Sequence, residues 1–187
     1  TTAWHALTGR AAMQAGEWLA VQASMGQFLE LANTHAPIAT ADKRVQSGEI
    51  LAAQIHEAHF WIAEACYRLI PHQVAASDAK VNVAKDALAR VDAFGDSRWS
   101  ATVALRKAQL EFKLADEAQD RHRNSAMKRA QSIALHYPGF DLQFEADFLI
   151  GRCHAERGEY AEARRAYQSV LDNAAAQGTE TAAMAQW

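Results

Sequence analysis

Proline is nearly missing from this chain, with 3 residues in 187. Proline interrupts a helix by removing a donor and clashing with the preceding turn, so its scarcity leaves long segments free to coil. Alternating runs of Val, Ile and Thr are also missing, which argues against strands. No apolar run approaches the roughly 18–20 residues that a membrane-spanning helix requires. The most apolar stretch, AHFWIAEACYRLI, carries Glu64 and Arg68 and reads as a core helix. Neither sign of charge dominates: 19 basic and 22 acidic residues leave a net charge of −3. That balance gives no global attraction to nucleic acid or to an anionic membrane. The two cysteines, Cys66 and Cys153, lie far apart and form no disulfide framework; they read as small buried hydrophobes and do not fix a compartment.

Catalytic motifs are missing as well. The sequence has no G-x-S-x-G, no phosphate-binding loop and no G-x-G-x-x-G. Cys153 and His154 are neighbours, and neighbouring helical residues point about 100° apart, so they make no dyad. His56 and His59 enclose Glu57 in an HExH pattern. This is one residue short of the zinc-protease spacing and has no third ligand at a telling distance. Satisfied or solvent-facing histidines are the better reading. No catalytic residue, metal or cofactor is assigned, and the chain is not expected to be an enzyme.

What is present is helical periodicity. Ala, Leu, Glu, Gln and Arg recur throughout, and all are good helix formers. The spacing predicts helices over about 2–15 and 17–32 with Gly16 between them, then a break at Asn33, His35 and Pro37. A long helix follows over about 40–70, with Gly48 as a possible interruption, and Pro71 ends it. Ser77 or Asp78 caps a helix that runs to Phe94 and stops at Gly95. Asp96 or Ser97 caps the next, which carries Trp99, Leu105, Leu110 and Leu114. Helices over about 121–136, 141–157 and 159–175 complete the series, with stops at His136–Gly139 and at Gly158. Gly178 and Thr179 introduce a last, short helix. The expectation is one all-α domain over 1–187, four helix pairs and a partial fifth. Because it starts at Thr1 and stops inside a helix, the chain reads as a fragment of a longer protein.

Segments of this series repeat. TGRAAMQAGEWLAVQASMGQFL (8–29) aligns with IGRCHAERGEYAEARRAYQSVL (150–171). Gly9 and Arg10 match Gly151 and Arg152, and Gly16-Glu17 matches Gly158-Glu159. Trp18 falls where Tyr160 does. EAHFWIAEAC (57–66) aligns in turn with EADFLIGRCH (145–154), with Ala63 in the place of Gly151. Phe148, Gly151 and Ala155 share one helix face, as do Tyr160, Ala163, Tyr167 and Val170. Gly151 thus reads as a close-packing position, Gly158 as the left-handed residue that ends its helix, and Tyr160 and Tyr167 as packing aromatics. Ala185 stands 34 residues after Gly151 and opens the next unit.

This layout resembles the tetratricopeptide repeat family, whose 34-residue units carry a small residue, a glycine, an aromatic, an alanine and a second aromatic in that order. Gly151, Gly158, Tyr160, Ala163 and Tyr167 match all five; Gly9, Gly16 and Trp18 match three, with Val21 and Met25 departing. The resemblance implies an α-α superhelix, a solenoid of antiparallel helix pairs. It further implies a scaffold that binds a protein or peptide in a concave groove. Bacterial cell-envelope arrays are the nearest in kind. The groove residues it implies are Glu145, Phe148, Arg152 and Glu156 in one unit and Glu57, Phe60, Glu64, Tyr67 and Arg68 in another. In the first unit they are Arg10, Met13 and Gln14. Arginine forks suit carboxylates, so an acidic partner is expected; otherwise Arg10 and Arg152 form salt bridges within the array, and Phe60 and Tyr67 are core. The segment RHRNSAMKRA (121–130) reads as a solvated outer face, with an anionic partner as its alternative. Two other functions fit the same residues. One is self-assembly through an apolar face at Met184 and Trp187, and the other is a regulatory domain of a larger protein.

Overall fold

The computed structural model describes residues 2–34, 41–114 and 119–186, and these are helical almost throughout. The helices are α1 (Thr2–Gln14), α2 (Trp18–Thr34), α3 (Ala41–Arg68), α4 (Ala79–Asp92), α5 (Ser100–Lys113), α6 (Gln119–His136), α7 (Gln143–Glu156), α8 (Tyr160–Asp172) and α9 (Glu180–Ala185). A 3₁₀ turn, Ala174–Ala176, separates α8 from α9. No helix among the described residues is long and apolar enough to cross a membrane. The expected breaks at His35 and Pro37, the side chain of Asn33 and the exposed face at Trp187 lie outside the described residues.

Contacts divide the chain into two compact units: residues 1–71 with 79–97, and residues 72–78 with 98–187. In the first, α1 packs on α2, α2 on α3 and α3 on α4. Val21, Met25, Phe28, Ala58 and Ala65 form its core. On α4 the buried Val81, Ala84, Leu88 and Val91 recur at helical spacing, so one stripe faces the core and the rest faces water. Gly48 does not interrupt α3, which is continuous over 28 residues.

The second unit holds α5 to α9, each packed on its sequence neighbour, with further contacts between α5 and α7 and between α7 and α9. Leu105, Ala108, Phe112, Ala126, Ala130, Ile133, Ala146, Leu149 and Cys153 make one core. Phe144, Val170, Ala176, Ala182 and Ala185 make another beneath α9. Ala185 is thus a packed residue. Val74 pairs with the end of α5, its amide donating to the Lys113 carbonyl at 3.1 Å.

Details of capping differ from the sequence reading. The N-cap of α5 is Trp99 rather than Asp96 or Ser97, and the Trp99 side chain makes no capping hydrogen bond. The helix expected over 159–175 ends at Asp172, because Asn173 is extended and its carboxamide accepts from the Ala175 amide.

The two aligned hairpins have the same turn. Gly16 and Gly158 both have φ of +73°. The Glu17 amide donates to the Ala12 carbonyl at 2.8 Å and the Gly16 amide to Met13 at 3.1 Å. Their counterparts, Glu159 to His154 and Gly158 to Ala155, measure 2.9 and 3.0 Å. This six-to-one and five-to-two pairing satisfies carbonyls that the helix end would leave open, and it needs a left-handed residue at its centre. A glycine adopts that conformation without the Cβ penalty.

Candidate functional site

The close-packing glycines act through side chains. A Cβ on Gly151 would stand 2.6 Å from Cδ1 of Tyr167, and one on Gly9 would stand 2.7 Å from Cε of Met25. Gly9 and Met25 are as far apart in sequence as Gly151 and Tyr167, so Met25 does in the first hairpin what Tyr167 does in the other. Met25 and Val21 are 3% and 0% exposed, and the first pair is tightly packed despite departing from the repeat pattern at both positions.

Most implied groove residues of the first unit are engaged internally. Arg10 forks onto Glu57, with Nη2–Oε2 at 2.9 Å and Nε–Oε1 at 3.2 Å. Trp61 Nε1 donates to the same carboxylate at 3.3 Å. For Arg10, the salt bridge within the unit is the arrangement found. Phe60, Glu64 and Tyr67 are buried, which makes both aromatics core residues. Arg68 is exposed; its Nε donates to Glu64 at 2.8 Å, and its guanidinium lies 5.4 Å from the centre of the Trp18 ring. Met13 is half-buried and Gln14 exposed.

His56 and His59 gather around Phe94 rather than around a metal position. His56 stacks on that ring at 4.4 Å, and His59 is tilted against it at 5.5 Å. Burial holds the His59 pKa below its usual 6.5, and the nearby positive charge of Arg90 and the His56 ring add to this. The folded state therefore favours neutral His59. Its contribution to stability is complete above the unfolded pKa of 6.5 and is lost as pH falls through the lower folded value. Thermal melts of the wild type from pH 7.5 down to 5 should show a falling midpoint, and His59→Gln should flatten that slope. An unchanged slope would remove His59 as the cause.

In the second unit, Glu145 accepts from Arg106 Nη1 at 2.9 Å and from Gln109 Nε2 at 3.0 Å. Glu156 receives Arg123. The solvated-face reading of 121–130 fails at two residues: His122 and Arg123 are 8% and 6% exposed. Arg123 also donates to the carbonyls of Phe112 and Leu114 and lies over the Phe112 ring at 4.2 Å. Arg121, Lys128 and Arg129 do face solvent. The Cys153 thiol is fully buried, and burial pushes its pKa up to about 12; burial raises that of Cys66 as well. Only the thiolate reacts readily, so a thiol reagent at pH 8 should label neither cysteine faster than unfolding exposes it. Rapid native labelling at Cys153 would contradict that burial.

Phe148 and Arg152 line an open cleft of about 630 Å³ between α7, α8 and α9. Tyr160, Ala163, Arg164, Tyr167, Leu171 and Met184 complete most of its wall. Tyr160 does not pack as the sequence suggests; it is 74% exposed, and Met184 is 47% exposed. Arg152 lies 4.4 Å from the Phe112 ring centre. Neither Arg152 nor Arg164 has an ion-pair partner among the described residues, and no carboxylate lines the cleft. The sequence reading missed Arg164, which sits one turn beyond Tyr160 on α8. Among the described residues no group of three or more His, Cys, Asp or Glu could hold a metal ion. The arrangement offers two guanidiniums and an aromatic floor, which together suit a carboxylate carried on an apolar surface.

Comparison with protein-family models, with curated proteins and with solved structures finds no match to this chain.

Proposed function

We propose that the chain is a non-enzymatic interaction scaffold, a stack of helix pairs of the tetratricopeptide type that binds an acidic protein partner at the α7–α8–α9 cleft. The observation that carries this reading is the pairing of Arg152 and Arg164, without carboxylates of their own, with the exposed ring of Tyr160. An aromatic and two arginines in one concavity match the residue types that dominate binding energy at protein interfaces. The stacked-pair reading is supported by the second-neighbour contacts of α7 with α5 and α9 and by the shared turn of the two aligned hairpins.

A peptide array screened with the intact chain tests it. Acidic peptides should be retained, and the double variant Arg152→Glu with Arg164→Glu should lose them. Arg10→Glu should leave binding at the cleft intact, because the Arg10 guanidinium is held by Glu57. Equal retention by the double variant would remove the cleft as the site. Self-association is the second reading, favoured by the exposure of Met184 on α9; it requires a mass that rises with concentration in light scattering.

A further inference from the structure

The internal repeat supplies a picture of what the cleft receives. In the first unit, the α2 face beginning at Trp18 is covered by the last two turns of α3. Arg68 lies over the Trp18 ring, and Gln22 Nε2 is 3.0 Å from Cys66 Sγ. Under that cover Trp18 and Gln22 are half-buried. The aligned residues of α8 are Tyr160 and Arg164, and both are exposed. Beneath them, Val21 and Met25 on α2 are 0% and 3% exposed; of their counterparts on α8, Ala163 is 3% exposed and Tyr167 is half-buried. The two helices thus share an inner seam. They differ in whether a helix crosses their first two turns. α9 packs against the later part of α8 through Ala182 and Ala185, and the cleft runs along α8 from Tyr160 to Leu171, open over its first turns.

We propose, resting on the cleft as the binding site, that its occupant is an acidic amphipathic helix of a partner protein, seated on α8 as the end of α3 is seated on α2. The shape follows from the repeat, since an α-helix is what fills the matching space in this same chain. The charge follows from the lining, which among the described residues presents Arg152 and Arg164 and no carboxylate. A helix laid in a groove contributes residues from one face at i, i+3, i+4 and i+7. Its small and apolar positions meet Tyr160, Tyr167 and Met184, and acidic positions flanking that stripe meet the two guanidiniums.

The probe is a synthetic peptide of residues 57–70 of this chain carrying Cys66→Ala and Arg68→Glu, which keeps the helical segment and its remaining residues and puts a carboxylate where the α3 cover carries Arg68. Fluorescence anisotropy with the intact protein should detect saturable binding. Arg152→Glu or Arg164→Glu in the protein should each weaken it about tenfold, the size expected for losing one hydrogen bond to a charged group. Arg129→Glu on α6 should leave it unchanged. A second peptide that also carries Ala63→Pro keeps the length and charge but breaks the helix, and it should bind at least tenfold more weakly. Equal binding of the two peptides would overturn the helical occupant and leave the cleft as an acidic-peptide site. Binding of neither would overturn this proposal, and the array then decides separately whether the cleft binds extended chains. A concentration-dependent dimer in which Tyr160 becomes protected would assign the surface to a second copy and overturn the proposal as well.

Discussion

Arg123→Ala should destabilise the second unit by about 3 kcal/mol, from the cost of stranding buried acceptors. The guanidinium serves the carbonyls of Phe112 and Leu114 at the end of α5 and covers the Phe112 ring. Removing it leaves those carbonyls without a donor in a place water reaches poorly. The Glu156 salt bridge contributes much less, because its carboxylate is 39% exposed and screened by solvent. Glu156→Ala should therefore cost no more than about 1 kcal/mol. Urea unfolding of the two variants separates these contributions. A loss at Glu156→Ala as large as that at Arg123→Ala would mean that the ion pair to α7, rather than the carbonyl contacts at the end of α5, carries the stabilisation by Arg123.

Gly151→Ala and Gly9→Ala should differ in size although the positions align. Each substitution gains roughly 0.5–1 kcal/mol of helix preference. At Gly151 the new methyl meets the rigid ring of Tyr167, and overpacking of that kind costs about 1–3 kcal/mol. At Gly9 it meets first the terminal methyl of Met25, the mobile end of a flexible side chain, which can move aside. Gly151→Ala should thus lower the denaturation midpoint, and Gly9→Ala should leave it nearly unchanged. In the background of Tyr167→Leu the Gly151→Ala loss should shrink, because the ring is gone. An undiminished loss would place the obstruction in the backbone.

These cases show what the residues declare and what they conceal. Gly16 and Gly158 were legible because a left-handed turn leaves its mark at one position. The helices were legible because apolar periodicity is a local pattern, and the boundaries of α1, α2 and α7 fall within a few residues of where it puts them. Arg123 was not legible. It sits in a polar stretch, and what buries it is the pair of open carbonyls at Phe112 and Leu114, a demand made by another helix. Tyr160 misled in the opposite sense. The repeat makes it a packing aromatic, but the cover for such a ring comes from the following helix, and α9 reaches only the later part of α8. Arg10 and Arg152 align, yet one is neutralised by Glu57 and the other is not. Pairwise likeness between segments says nothing about which neighbour each will meet.

The paired turns at Gly16 and Gly158 also bear on how the chain reaches its structure. Each reverses direction within a few residues, so the Gly9–Met25 and Gly151–Tyr167 contacts close short loops. Loop closure over such distances costs little entropy, and chains rich in local contacts fold quickly. Either hairpin can form before the other and then serve as the template on which its neighbour condenses. Folding in this architecture has two separate places to begin.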